Sequence, residues 1–295
     1  MLVFLTITCF LILVCNGAPV SFLNRLQTLF SFGDSYTTQN LDTITMSYAC
    51  ANCTSAGGPN WVEYLVEIHP MQYWNLAYNS APISNKLVNQ PRSPVIDMAT
   101  QITELYPRHF VNTSYTHDPS TTLYTFWIGI NDINQSAEWN DTSTLDDRLM
   151  AQYRVLLRYL ETLGAKHFML INVPPIDRSP MWSQQRQNGL FEKTIRKRVQ
   201  GLNSKLAALH QDLKDTAAAG SSSSTWMLFD AWSKFTHILD HPQKYGLTNT
   251  TGYCPDWNHP EGCGGSIEEY FWLNDLHPTF KVHGFMAKAV ADFLS

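Results

Sequence analysis

Short runs rich in β-branched and aromatic residues alternate with long amphipathic stretches along this chain, and that alternation restricts its fold more than any other feature. Leu29 to Phe32 reads as a strand, Trp61 to Ile68 as a helix and Tyr73 to Ala77 as a short strand. Ile96 to Leu105 has helical composition, and Leu123 to Ile128 reads as a buried strand. Leu145, Leu149, Tyr153, Leu156, Leu160 and Leu163 recur at spacings of three and four, which puts them on one helix face, and Gly164 is a natural stop. Phe168 to Val173 is the next strand, ended by Pro174-Pro175. Phe191, Ile195, Val199, Leu202, Leu206, Leu209 and Leu213 make a second long amphipathic helix. Gly220 to Ser224 reads as a loop and Trp226 to Phe229 as a strand; the chain closes on a helix after Pro278. Such a series predicts an α/β fold, a three-layer sandwich with a central parallel sheet. Because the Gly220 to Ser224 loop lies inside one alternating series, residues 18–295 are expected to form a single domain.

Residues 1–17 stand apart. Leu2 to Val14 is almost wholly apolar, and Cys15-Asn16-Gly17 offers small residues at a cleavage site, although no basic residue precedes the run. This reads as a signal peptide. A spanning helix needs about 20 apolar residues, more than this run supplies. A secreted, extracellular chain without stable membrane insertion is therefore expected. Cys9 and Cys15 would leave with the leader. The other four cysteines fall into local pairs, Cys50 with Cys53 and Cys254 with Cys263, and an even count outside the cell favours disulfides. Cys254, Asp256, His259 and Cys263 lie close together but match no zinc spacing, so no metal is expected. His237 and His241 would share a helix face, yet Ile238 stands where a zinc protease needs Glu. Sequons begin at Asn52, Asn112, Asn134, Asn140 and Asn249, and each must lie on the surface if it carries glycan.

The formal net charge of −5 argues against nucleic acid as a partner. Arg196-Lys197-Arg198 is the densest basic run and belongs to a solvated helix face. A monomer acting on a small or oligosaccharide substrate is expected. Nine Trp and thirteen Tyr give ample core, and some of these rings are suited to line a sugar-binding surface.

The chemistry gathers in three segments. Phe32-Gly33-Asp34-Ser35-Tyr36 follows a strand, and Gly33 lets the backbone bend sharply so that Ser35 is lifted into a cleft as a candidate nucleophile. Gly129-Ile130-Asn131-Asp132 follows another strand. Asn274-Asp275-Leu276-His277-Pro278 comes near the end. In parallel sheets active residues collect outside the carboxyl ends of the strands, which gives Ser35 and Asn131 a reason to meet. Taken singly, Ser35 reads as a helix cap, Asn131 as a turn filler and His277 as a loop end. Together they read as nucleophile, oxyanion donor and general base for acyl transfer to water, a reaction that needs no cofactor.

These segments resemble the motifs of the GDSL esterases and lipases, also called SGNH hydrolases. Gly33-Asp34-Ser35-Tyr36 is similar to their first motif, Asn75 to Ala81 to their second, Gly129-Ile130-Asn131-Asp132 to their third and the stretch ending in His277-Pro278 to their last. The segments around Phe126, Pro174 and Trp272 are similar to secreted fungal acetyl esterases of carbohydrate esterase family sixteen. The resemblance implies a flavodoxin-like fold and a secreted serine esterase that removes acetyl groups from plant cell-wall carbohydrates. The alternatives are a long-chain lipase and a non-catalytic carbohydrate-binding relative. It also implies oxyanion donors at Ser35, Ser80 and Asn131.

Two positions depart from the family pattern. Ser80 stands where the second motif has Gly, so a positive φ there would strain it. The family's acid stands three residues before the histidine, where this chain has Asn274. Asp275, two before, is expected to complete the triad Ser35, His277 and Asp275, since a carboxylate stabilises the imidazolium; Asn274 is the alternative, through its side-chain oxygen. Activity is expected to fall as pH drops through about 6.5, the ordinary histidine value.

Overall fold

A wholly buried strand, β1 (Thr28–Gly33), opens the domain in the computed structural model, which describes residues 21–88, 95–185, 190–256, 263 and 265–295. The leader expected over residues 1–17 lies outside them, as does His259 of the cluster weighed as a metal site. After β1 comes a small antiparallel pair, β2 (Leu41–Asp42) and β3 (Ser47–Tyr48). Helix α1 (Trp61–Ile68) starts at Asn60, whose side chain accepts from the N–H groups of Val62 and Glu63 while Glu63 accepts from the Asn60 N–H, a reciprocal cap. β4 (Gln72–Asn75) follows. Then α2 (Met98–Thr100) widens through a π turn at Gln101–Leu105 into α3 (Tyr106–Phe110). The series continues with β5 (Thr122–Trp127), α4 (Ile130–Gln135), α5 (Thr142–Thr162), β6 (His167–Ile171) and α6 (Glu192–Thr216). It ends with β7 (Thr225–Phe229), α7 (Ala231–Asp240) and α8 (Phe280–Leu294).

The main sheet runs β4-β1-β5-β6-β7 with every pairing parallel. This is the flavodoxin-like, doubly wound order. The direction of winding reverses between β1 and β5, and the crevice beyond their carboxyl ends is where such sheets bind ligands. Side chains alternate across the sheet. Phe30 meets Tyr106 and Phe110 of α3, and Phe126 meets Tyr153 of α5. On the other face Trp127 meets Trp61 of α1, Phe235 of α7 and His283 of α8. Two helical layers thus enclose one sheet, as the alternation predicts.

The strands and long helices stand within a few residues of their expected places. Three features differ. The strand read over Tyr73 to Ala77 ends at Asn75, because Ala77 turns back to bond the Asn75 side chain at 3.2 Å. The helix read over Ile96 to Leu105 extends to Phe110, past Pro107; the π turn just before it, with the Tyr106 N–H on the Gln101 carbonyl, carries the helix past a residue that has no N–H of its own. The β2–β3 pair is too short to leave a mark in the periodicity, whereas α7, absent from the expected series, does show one: Ala231, Phe235, Ile238 and Leu239 are buried at helical spacing behind the Asp230 cap. Cys50 is bonded to Cys53, and Cys254 to Cys263, with Cα atoms 5.5 and 5.2 Å apart. Asn52, Asn112 and Asn140 are exposed, whereas Asn134 and Asn249 are partly buried.

Gly33 ends β1 with φ 149°, and a Cβ there would lie 2.2 Å from the Trp127 carbonyl oxygen. Strand β1 can therefore lie against β5 at this point only with glycine. Gly33→Ala is expected to destabilise the fold by about 3 kcal/mol or more, since backbone must shift to admit the methyl. The shift of the urea midpoint measures this.

Candidate active site

The turn after β1 carries Ser35 into the crevice. Asp34 directs the turn: its carbonyl accepts from the N–H groups of Thr37 and Thr38, and its Oδ1 accepts from the Tyr36 N–H at 3.0 Å. Buried Gln101 closes the end of β1 by accepting from the Gly33 N–H at 3.0 Å and donating to the Gly33 carbonyl at 2.9 Å. Asn60 and Asn75 both donate to the Thr37 carbonyl. The turn is thus held on every side while Ser35 remains 9% exposed.

His277 reaches Ser35 from the far end of the chain. Its Nε2 lies 2.7 Å from Ser35 Oγ, and its Nδ1 lies 3.0 Å from Asn274 Oδ1. Asn274 Oδ1 also accepts from the N–H groups of Leu276 at 3.0 Å and His277 at 2.8 Å. Two backbone donors identify that atom as oxygen. Nδ1 must then donate to it, which leaves the Nε2 lone pair facing Ser35. This is the tautomer a general base needs. Asp275, expected as the partner of His277, is replaced in that role by Asn274. A tight turn, closed by the Leu273 N–H on the His277 carbonyl at 2.7 Å, brings the side chain three residues before the ring beneath it. The Asp275 carbonyl accepts from the Met181 N–H at 2.8 Å, and the negative charge of its side chain acts on Tyr36.

Asn131 lies between the Ser35 turn and the segment that carries Ser80. Gly129, with φ 114°, leads from β5 into α4; a Cβ there would lie 2.9 Å from Val173, so the tight entry requires glycine. Asn131 in the first turn of α4 donates through Nδ2 to the Ala81 carbonyl at 3.1 Å, and Nδ2 lies 3.5 Å from Asp34 Oδ2. One amide hydrogen is engaged and the other only weakly held. Asp132 accepts the Ile83 N–H on both carboxylate oxygens at 3.1 Å, which ties the Tyr78 to Ile83 segment to α4. In that segment Ser80 has φ 64°, so the strain foreseen for a non-glycine residue is present. The turn is closed by the Ala81 N–H on the Tyr78 carbonyl, and Asn79 is braced between Ser55 and Asn40. Among the described residues neither the Ser35 N–H nor the Ser80 N–H has a protein acceptor. A cavity of about 620 Å³ lined by Arg158, Lys166 and Ser222 to Ser224 lies at the amino ends of β6 and β7, the opposite end of the sheet.

Several residues of the site had little signal in the sequence. Gln101, Asn60 and Tyr36 act through contacts between distant segments, which periodicity does not report. Asn134, read as a sequon, accepts from the buried Trp182 indole at 2.9 Å. The neighbouring Ser136 hydroxyl is buried between the Asp132 carbonyl and Arg198. Arg198, read as part of a solvated basic run, is 7% exposed and paired with Asp146.

Residues 29–290 match the family model described as GDSL-like Lipase/Acylhydrolase. An acetylesterase from Thermothelomyces thermophilus is 28% identical over 98% of this chain and 97% of its own length. A thermolabile hemolysin from Vibrio parahaemolyticus is 23% identical over 79% of this chain and 54% of its own. Among solved structures, Axe2, an acetylxylan esterase from Geobacillus stearothermophilus, shares the fold with a TM-score of 0.50 at 13% identity, covering 91% of this chain and 94% of the other.

The electrostatics differ from a carboxylate-assisted site. Part of His277 faces the cleft, but its surroundings are otherwise dry, and desolvation pulls the ring down from 6.5 to about 4. Burial lifts Asp34 from 3.8 to about 8, with the charge of Asp132 adding to the effect, so a proton resides on Asp34 near neutrality. Protonation of His277 would remove the lone pair that faces Ser35, so activity is lost below this value and kept above it. Ester hydrolysis is expected to be level from about pH 8 to about pH 5 and half-maximal near pH 4, rather than near the ordinary histidine value. A pH–rate profile on an uncharged ester checks this, and a midpoint at about 6.5 would mean that the ring is hydrated. Asn274→Asp keeps the three accepted bonds and adds a charge. It is expected to move the acid limb up by about 1–3 pH units, measured in the same profile.

Proposed function

The chain belongs to the GDSL-like lipase/acylhydrolase family and is a carboxylic ester hydrolase, and we propose that it is a secreted serine esterase removing short acyl groups, chiefly acetyl, from plant cell-wall carbohydrates. The contact that carries this reading is Ser35 Oγ on His277 Nε2 at 2.7 Å, with Nδ1 held by Asn274. His277 takes the Ser35 proton as Oγ attacks the ester carbon. The oxyanion is met by the N–H groups of Ser35 and Ser80 and the Asn131 amide. Collapse breaks the C–O bond to the alcohol, which leaves with the proton from His277. Water, deprotonated by the same ring, then releases the acid from the acyl-enzyme. Each oxyanion donor of this kind is worth about 3 kcal/mol in the transition state.

Asn274 serves this scheme by orienting the ring. Where Asp→Asn cripples a serine protease by about 10⁴, the loss comes from the wrong histidine tautomer. Here the backbone donors of Leu276 and His277 fix the Asn274 oxygen toward Nδ1, which favours the right one. What is forgone is the charge that would stabilise the imidazolium. The acetyl preference is supported by the acetylesterase that aligns with nearly the whole chain. Secretion is supported by the apolar leader and by the two disulfides. A purely binding role would have no use for Ser35 in contact with a neutral imidazole.

Hydrolysis of 4-nitrophenyl acetate by wild type and Ser35→Ala tests the reading. A fall of about 10⁴-fold or more is expected, and equal rates would overturn it. A series from acetate to palmitate should peak at acetate; a maximum beyond octanoate would favour the lipase reading. Release of acetate from acetylated xylo-oligosaccharide tests the carbohydrate substrate.

A further inference from the structure

The residue after the candidate nucleophile reaches across the crevice to the loop of the general base. The Tyr36 phenol donates to the Leu276 carbonyl at 2.6 Å, a contact between residues 240 apart in sequence. The phenol is 1% exposed, and burial together with the charges of Asp34 and Asp275 holds its proton on well above the ordinary range, so it remains a donor. Its ring packs 5.3 Å from that of Trp127, 5.5 Å from that of His277 and 6.2 Å from that of His283. Its own N–H is taken by Asp34 Oδ1 at 3.0 Å, so the donor hydroxyl stands on a fixed base.

The Leu276–His277 peptide is thereby held at both ends. Tyr36 takes its carbonyl at 2.6 Å, and Asn274 Oδ1 takes its N–H at 2.8 Å. Fixing that peptide plane limits rotation about the His277 backbone and hence the direction of the imidazole. Among the described residues the Leu276 carbonyl has no other donor. Phe would fill the same space but leave that carbonyl to seek water, which turns the plane toward the cleft. We propose that Tyr36 is a positioning residue that bolts the nucleophile turn to the general-base loop, so that a bond between their neighbours sets the Ser35–His277 distance. This rests on the reading of Ser35 and His277 as nucleophile and base.

The experiment compares the wild-type chain with Tyr36→Phe on 4-nitrophenyl acetate, together with the rate at which a fluorophosphonate probe labels Ser35. In the variant kcat is expected to fall about 10-fold or more and labelling to slow in parallel, while KM stays within about 2-fold and thermal unfolding remains cooperative. A loss of packing alone would lower the melting temperature without splitting kcat from KM. Para-aminophenylalanine at position 36 restores an N–H donor and should recover most of the rate; it also provides the test if Tyr36→Phe does not fold. Wild-type kcat and labelling in folded Tyr36→Phe would overturn the proposal, as would failure of the restored donor to recover rate. A wild-type chain that the probe does not label at Ser35 would instead defeat the esterase reading itself.

Discussion

The parallel pairing of β1 with β5 is the constraint on which the rest of the structure depends. It lies where the winding of the sheet reverses, so the chain leaves β1 and β5 toward opposite layers and opens a crevice between them. Gly33 and Trp127 approach so closely that no side chain fits at the end of β1. Ser35 and Asn131 then emerge side by side from elements almost a hundred residues apart. The Tyr78 to Ile83 segment is drawn in through the Ala81 carbonyl on Asn131 and the Ile83 N–H on Asp132. The nearness of Ser35, Asn131 and the Tyr78 to Ile83 segment is therefore a consequence of sheet topology rather than of any local motif.

Around that crevice the protein relies on neutral amides where carboxylates would be costly to bury. Asn60, Asn75, Gln101, Asn131 and Asn274 each tie backbone groups that no strand or helix satisfies. An amide accepts and donates without the desolvation penalty of a charge. Two acids do lie close by, Asp34 and Asp132, and burial raises both, Asp34 to about 8 and Asp132 to about 7. A proton on Asp34 leaves Asn131 free of a strong competing acceptor. Burial also lowers His277, so the ring and both carboxyl groups are neutral together between about pH 4 and about pH 7. Strain is kept at the site as well: Asn40 and Ser80 both have positive φ and are joined through Asn79.

Sequence alone determined the layers and most of the strands and long helices, because apolar periodicity records which face of each element is buried. It also marked Ser35, Asn131 and His277, since each follows a recognisable chain signal at the end of an element. It correctly warned that Ser80 would be strained if φ were positive. Tertiary structure decided the rest. Asn274, not Asp275, holds the imidazole, because the Leu273 to His277 turn directs the third residue back under the ring and backbone donors fix its oxygen there. Arg198 left the solvated face its local run suggested, once α6 packed against α5 and Asp146 paired with it. His277 departs from a free imidazole because neighbours distant in sequence partly bury it. Periodicity carries burial one element at a time; a hydrogen bond between Tyr36 and Leu276, or a dry pocket around a ring, exists only when the elements have been assembled.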